Sequence, residues 1–141
     1  MRKTVRLLFL ALLACSNQSA WACSCDSPPA PKEALEKADA VFLGSVERLE
    51  VQRKFGRLAT FRVMKVWKGP QQPSISVFTE GNGTACGFDF EVGNPAYLVY
   101  AYKDVGKQGG YSTNTCTRTR TEFDAEKDDL KVLGPGISVG E

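Results

Sequence analysis

The sequence predicts an all-β fold with short helices, a closed OB-like barrel of five to six antiparallel strands in a Greek-key arrangement, stapled by disulfides. Short segments between residues 40 and 121 alternate apolar and polar residues and are separated by turns rich in glycine, proline and asparagine. A short helical pattern stands at each end of this region, and four cysteines follow residue 22. This combination is typical of a small disulfide-bonded barrel.

The first elements follow from hydrophobic spacing. Pro31 suits a first helical turn, and the residues after it place alanine and leucine on one face, so a short helix is predicted over 32–38. Alternating hydrophobic residues predict the first strand over 40–51, with a bulge or bend at Gly44, where the alternation changes phase. A hairpin turn separates this strand from the next one, which is predicted over 58–67.

The second half of the chain predicts three further strands, over 74–79, 96–102 and 111–121. The apolar, aromatic run over 96–102 is predicted to be the most buried of them. A helix is predicted over 125–133 from the spacing of its leucines, and residues 134–141 are predicted to be a flexible C-terminal tail. Pattern also predicts five aromatic core residues: Trp67, Phe88, Phe90, Tyr97 and Tyr100.

The first 22 residues predict a cleaved export signal. Three basic residues accompany an apolar run over 5–14, which is too short to span a bilayer. Ala20-Trp21-Ala22 is then a cleavage site that would leave Cys23 as the new N-terminus. The sequence therefore predicts an exported protein, extracellular or periplasmic, with one domain over 23–133.

A lipoprotein signal is the alternative. Leu12-Leu13-Ala14-Cys15 resembles a bacterial lipobox, and in that case Cys15 would be lipidated, become residue one and anchor the protein to a membrane. Cleavage before Cys23 is favoured, because leucine before the small residue is less usual in a lipobox.

Composition excludes several functions. The chain of 141 residues has 18 Lys+Arg, 16 Asp+Glu and no histidine. It therefore has no imidazole for a Ser-His-Asp or Cys-His pair or for a His-rich zinc centre. Loss of residues 1–22 removes three basic residues and leaves 15 basic against 16 acidic residues, a net charge of −1. The mature protein would therefore lack the overall positive potential that favours nucleic-acid binding. We expect no enzymatic activity, no cofactor, no nucleic-acid partner, no membrane association unless Cys15 is lipidated, and a monomer.

Two sets of charged residues have alternative functional interpretations. Arg118 and Arg120 are two residues apart on a predicted strand and share a face, which could bind an anion, although a solvated sheet face explains them better. Three acidic residues could form a catalytic carboxylate pair, but nothing in the sequence specifies that they converge. They are Glu80, Asp89 and Glu91.

The cysteines predict two disulfides. Cys15 is removed or acylated, which leaves an even set of four in an oxidising compartment. A bridge between Cys23 and Cys25 would close a very small, strained ring, so both are expected to pair with Cys86 and Cys116, in either order. A zinc site is the less favoured alternative, because paired ligands are usually spaced by two to four residues.

Three segments resemble the tissue inhibitors of metalloproteinases and the wider netrin-like module. The first is Cys23-Ser24-Cys25 after a cleavage site, with prolines, a short helix and the segment 38–44 following. The second runs from Cys86 to Gly93 and into 97–101, and the third is the threonine-rich strand ending in Cys116. The resemblance covers most of residues 23–121.

The resemblance implies both a pairing and a mechanism. It implies disulfides joining Cys23 to Cys86 and Cys25 to Cys116. It also implies that the α-amino nitrogen and the carbonyl oxygen of Cys23 chelate the catalytic zinc of a target protease, with the next side chain in the first primed-side pocket of that protease. The implied contact residues are Cys23, Ser24, Cys25, Asp26, Thr84 and Ala85.

The leading functional hypothesis is thus a secreted metalloendopeptidase inhibitor whose partner is a zinc metalloprotease. The alternative is a non-inhibitory envelope or extracellular binding module, anchored through Cys15 if that residue is lipidated. An α-amine chelates zinc only when it is neutral, and its ordinary pKa is about 8, so inhibition is expected to weaken in acid.

Overall fold

The computed structural model describes residues 23–52, 56–81, 86–107 and 109–140. The predicted signal and Cys15 lie outside these residues. No helix in these ranges is long and apolar enough to cross a membrane.

The described residues form seven strands and three short helices. In chain order they are α1 (Pro31–Lys37), β1 (Ala40–Gln52), β2 (Gly56–Lys68), β3 (Ser74–Glu80), β4 (Ala96–Lys103), β5 (Tyr111–Ser112), β6 (Arg120–Thr121), α2 (Glu122–Ala125), α3 (Asp129–Leu133) and β7 (Ile137–Ser138).

Five of these strands close a barrel. They pair in the order β1-β2-β3-β5-β4, and β4 pairs back onto β1. Closure is antiparallel, with residues 40–45 of β1 opposite residues 96–101 of β4. Four of the five described pairings between barrel strands are antiparallel, whereas the β3–β5 pair is parallel and joins Phe78 to Ser112. The predicted OB-like, disulfide-stapled barrel is confirmed, while β6 and β7 are two-residue additions to β4 and β2.

Strand alternation divides the hydrophobic residues between two clusters. Phe42 and Val46 of β1 lie in the barrel interior, whereas Val41 and Leu43 face the helices on the outside. Strand β4 is buried on both faces for the same reason, as predicted for this segment. The phase change is a bulge, because the register shifts between Leu43 and Gly44. Glycine is required there, since a Cβ atom would lie 2.7 Å from the Arg62 carbonyl oxygen.

The predicted core aromatics are buried to different degrees. Phe90, Tyr97 and Tyr100 are 3% exposed or less, whereas Phe88 and Trp67 are half-buried and pack against the clusters. The Phe90 ring meets the Tyr97 ring edge to face, with centroids 5.0 Å apart. Such pairs add to the stability gained from burial alone.

The predicted strand over 111–121 is wrong in its middle. Only its two ends are strands, and threonine hydroxyls replace the missing ladder. Thr119 Oγ1 accepts from the backbone N–H of Tyr100 at 3.0 Å, and Thr113 Oγ1 donates to the Tyr100 carbonyl at 3.0 Å. Because these hydroxyls supply the hydrogen bonds of the Tyr100 backbone N–H and carbonyl, residues 113–119 form a loop and not a strand.

The C-terminal predictions also need correction. The predicted helix over 125–133 is two helices, because Thr121 and Asp128 each cap a separate start. Residues 134–140, predicted as a flexible tail, are tied to β2 instead. Ile137 and Ser138 pair with β2, and the indole Nε1 of Trp67 donates to the Gly134 carbonyl at 2.9 Å. A two-residue strand carries no periodicity, so sequence pattern gave no sign of it.

Candidate functional site

Two disulfides lie side by side at the N-terminal end of the domain. Cys23 is bonded to Cys86 and Cys25 to Cys116, which is the pairing implied by the resemblance. The Sγ atoms of Cys23 and Cys116 are 3.5 Å apart. Neither sulfur carries a proton in this state, so the contact is a van der Waals contact between two disulfides. Since the four sulfurs are bonded in pairs, they are not thiolate ligands for zinc here.

The barrel topology explains why the two receiving cysteines meet. Cys86 follows β3 and Cys116 follows β5, and parallel neighbours end at the same rim of a barrel. Thr115 strengthens this junction: its backbone N–H and its hydroxyl both donate to the Cys86 carbonyl, at 3.0 and 3.3 Å. The Cys116 N–H donates to the side-chain oxygen of Asn114 at 2.9 Å. The disulfides therefore attach to a hydrogen-bonded platform.

The N-terminal segment lies across this platform and is open to solvent. Residues 23–30 form neither helix nor strand, in keeping with their prolines. Cys23 is half-buried, whereas Ser24, Cys25 and Asp26 are exposed. The structure thus brings these four predicted contact residues together at one edge. Thr84 and Ala85, the other two, lie outside the described residues.

The far end of this segment is held by Arg118. Its Nη1 donates to the Pro29 carbonyl at 2.9 Å. The same guanidinium binds both oxygens of Asp129, through Nε at 2.6 Å and Nη2 at 3.0 Å. Arg118 is 9% exposed and Asp129 is fully buried. The fork of the guanidinium matches a carboxylate while leaving a donor for the carbonyl.

The prediction of a solvated face is therefore wrong for Arg118. Helix α3 supplies Asp129 and its cap Asp128 opposite the two arginines, so this face is covered. Arg120 is less buried than Arg118 and lies 3.1 Å from Asp128 and 3.2 Å from Asp129. The sequence pattern does not reveal this cluster, because it predicts one helix over 125–133 with Asp128 and Asp129 in its middle.

Burial and pairing shift the pKa values in this cluster. The hydrogen bond to Asp129 raises the pKa of Arg118 above its ordinary value. Burial, followed by the hydrogen bond that its hydroxyl donates to Asp129 at 2.8 Å, raises the pKa of Tyr100. Hydrogen bonding with Asp129 lowers the pKa of Asp128. Arg118 and Asp128 therefore remain charged at ordinary pH, and Tyr100 remains neutral.

One of the three acidic residues considered for catalysis, Asp89, has its carboxylate in an ion pair. Asp89 forms an ion pair of 2.7 Å with Arg57, and the backbone N–H of Glu91 donates to the Tyr97 hydroxyl at 3.1 Å. Among the described contacts, none links Glu80 to either residue. The proposal of a carboxylate pair gains no support from this arrangement.

Comparison with known proteins leaves the family unassigned. No protein-family model matches this sequence, and no curated protein is a significant match. The resemblance to metalloproteinase inhibitors therefore stays a prediction, and the function is argued from the residues and their geometry.

Proposed function

We propose that the mature protein is an exported inhibitor of zinc metalloproteases that binds the catalytic zinc through the α-amino nitrogen and carbonyl oxygen of Cys23. The observation that carries the proposal is the exposure of Ser24 between two cysteines that are both bonded to the barrel. An export route to an oxidising compartment is compatible with these two disulfides.

The chemistry of chelation suits this residue. The α-amino nitrogen and the carbonyl oxygen of one residue close a five-membered ring on a metal ion. Catalytic zinc sites keep one position for the water that attacks the substrate. A chelating N-terminus would displace that water, and the Ser24 side chain would then enter the neighbouring subsite.

Pre-organisation supports the same proposal. The segment is bonded to the barrel at Cys23 and Cys25, and Arg118 binds its Pro29 carbonyl at the other end. A segment that is already ordered loses less conformational entropy when it binds. The exposed residues between these three attachments are thus presented at a small entropic cost.

The test compares three forms of the protein against a panel of zinc metalloproteases. One form starts at Cys23, the second carries one additional alanine before Cys23, and the third is the second after an aminopeptidase has removed that alanine. Intact mass must first show the loss of four hydrogens that two disulfides require. We expect inhibition by the first and third forms and its loss in the second.

Three results would overturn the proposal. Inhibition that survives the added alanine would exclude chelation by the α-amine. Absence of inhibition by the Cys23 form across the panel, or an acylated Cys15 on protein exported by its own host, would favour the non-inhibitory binding module.

A further inference from the structure

The two disulfides are close enough to exchange partners. The Cys23 and Cys116 sulfurs, which belong to different disulfides, are in van der Waals contact at 3.5 Å. Three of the sulfurs, those of Cys23, Cys25 and Cys116, all lie within 4.8 Å of one another. A thiolate formed at Cys116 would therefore already be in contact with a sulfur of the neighbouring disulfide.

Exposure decides where an external thiol attacks first. Cys25 is exposed, whereas Cys23, Cys86 and Cys116 are half-buried. The rate of thiol–disulfide exchange depends on access to the sulfur that is attacked. Attack at Cys25 releases the Cys116 sulfur, the one that touches Cys23.

We propose that Cys25 is a modification site for small thiols, and that its modification is relayed to Cys86 through a change of partner at Cys23. In the first step the external thiolate bonds to Cys25 and the Cys25–Cys116 bond breaks, with its electron pair left on Cys116. In the second step the Cys116 thiolate bonds to Cys23 and the Cys23–Cys86 bond breaks, which leaves the thiolate on Cys86. No net oxidation occurs, because each step forms one S–S bond and breaks another.

The product differs from the starting protein at its N-terminus. Cys23 is then bonded to Cys116, Cys25 carries the small thiol, and Cys86 is free. The relay depends only on the positions of the sulfurs, so it stands whether or not the protein inhibits a protease. If the inhibitory function is correct, the same reaction would change how Cys23 is attached to the barrel.

The Cys25→Ser variant tests the second step without an added thiol. It leaves a Cys116 thiol beside an intact Cys23–Cys86 disulfide. The variant is incubated near the ordinary thiol pKa of about 8.5, quenched with acid, alkylated, digested with trypsin and mapped by mass spectrometry. We expect a mixture of both disulfides in which at least about one tenth of the molecules carry Cys23–Cys116 and an alkylated Cys86.

Cys116→Ser is the matched control. It leaves a Cys25 thiol near the same disulfide, but attack on Cys23 would close the small, strained ring between residues 23 and 25. This variant should therefore retain Cys23–Cys86. Alkylation confined to Cys116 in the Cys25→Ser variant would overturn the relay.

Treatment of the unmodified mature protein with glutathione tests both steps and does not depend on the folding of a variant. Trypsin leaves Cys23 and Cys25 on one peptide, so fragmentation within that peptide must locate the glutathione. The expected species carries glutathione on Cys25, a Cys23–Cys116 bond and an alkylated Cys86. Glutathione on Cys25 with alkylation at Cys116, or glutathione on Cys23, would contradict the proposal.

Discussion

Arg118 donates a hydrogen bond to the carbonyl of Pro29 at 2.9 Å, although the two residues are 89 positions apart in the chain. The guanidinium that makes this bond is held by the fully buried Asp129. The exposed N-terminal segment is thereby connected to helix α3 through one side chain. A buried ion pair of this kind constrains the segment without covering it.

Loss of Arg118 should be strongly destabilising. Arg118→Met leaves the Asp129 carboxylate buried without its main partner, and breaking a buried pair costs about 3 kcal/mol. Urea unfolding measures this change in the free energy of unfolding. Arg48→Met is the control, because the pair of Arg48 with Glu50 is largely exposed and should change stability by no more than about 0.5 kcal/mol. Equal changes in the free energy of unfolding for the two substitutions would show that the buried Arg118 pair contributes no more to stability than an exposed pair.

The two disulfides should contribute similar stability. In the chain-entropy description each disulfide contributes roughly 4 kcal/mol to the free energy of unfolding. The sequence separations are 63 and 91 residues, and this difference changes the expected contribution by only about 0.3 kcal/mol. The measurement compares Cys23→Ala/Cys86→Ala with Cys25→Ala/Cys116→Ala by urea unfolding. A difference of several kcal/mol between these two variants would mean that contacts in the folded state, rather than loop closure, dominate.

Stability should fall in alkali because of Tyr100. Its folded pKa is raised by burial and by the hydrogen bond to Asp129, above the ordinary value of about 10. The folded state therefore holds the proton more tightly, so this contribution is complete below about pH 10 and is lost as the pH rises further. Burial also raises the pKa values of Tyr97 and Tyr102, which adds to the same trend.

Tyr100→Phe separates this residue from the other tyrosines. The variant should lose about 1 kcal/mol at neutral pH, since it lacks the hydroxyl bonded to Asp129. Its unfolding free energy should then fall less steeply above about pH 10 than that of the unchanged protein. Unfolding curves collected across this pH range test both statements. If the unfolding free energies of the variant and the unchanged protein fall in parallel with pH, Tyr100 is not the source of the loss of stability in alkali.

Protease inhibition should weaken in acid if Cys23 chelates zinc. The α-amine must lose its proton to bind, so the inhibition constant should rise about tenfold for each pH unit below the amine pKa of about 8. Inhibition constants measured across this range provide the test. The protease has its own pH dependence, so a hydroxamate inhibitor of the same enzyme serves as the reference. Identical profiles for the two inhibitors would contradict a chelating amine.

Much of the barrel could be predicted because its long strands alternate between two environments. Val41 and Phe42 face opposite clusters, and this alternation is visible in sequence. The loop over 113–119 could not be predicted in the same way, since threonine has a high strand propensity and its hydroxyls here replace a ladder. Three-dimensional contacts, rather than local pattern, determine such segments.

The candidate site was predictable to a similar extent. Cys23, Ser24 and Cys25 could be proposed as contact residues from the predicted cleavage site and the Cys-x-Cys pattern. The contact between the Cys23 and Cys116 sulfurs could not, because it depends on where β3 and β5 end. The burial of Arg118 and its pair with Asp129 could not be predicted either, since a buried arginine gives the same local pattern as an exposed one.

Closure of the barrel has a consequence for self-association. Residues 41–45 of β1 pair with β2 on one side and β4 on the other, so they offer no free edge to another chain. Beyond them, the described residues include no strand paired with the outer edge of 47–52. Glu47, Arg48 and Glu50 place charges along that stretch, and charged edges disfavour the addition of a further strand. The outer edge of β1 over 47–52 is thus protected against growth into a fibril.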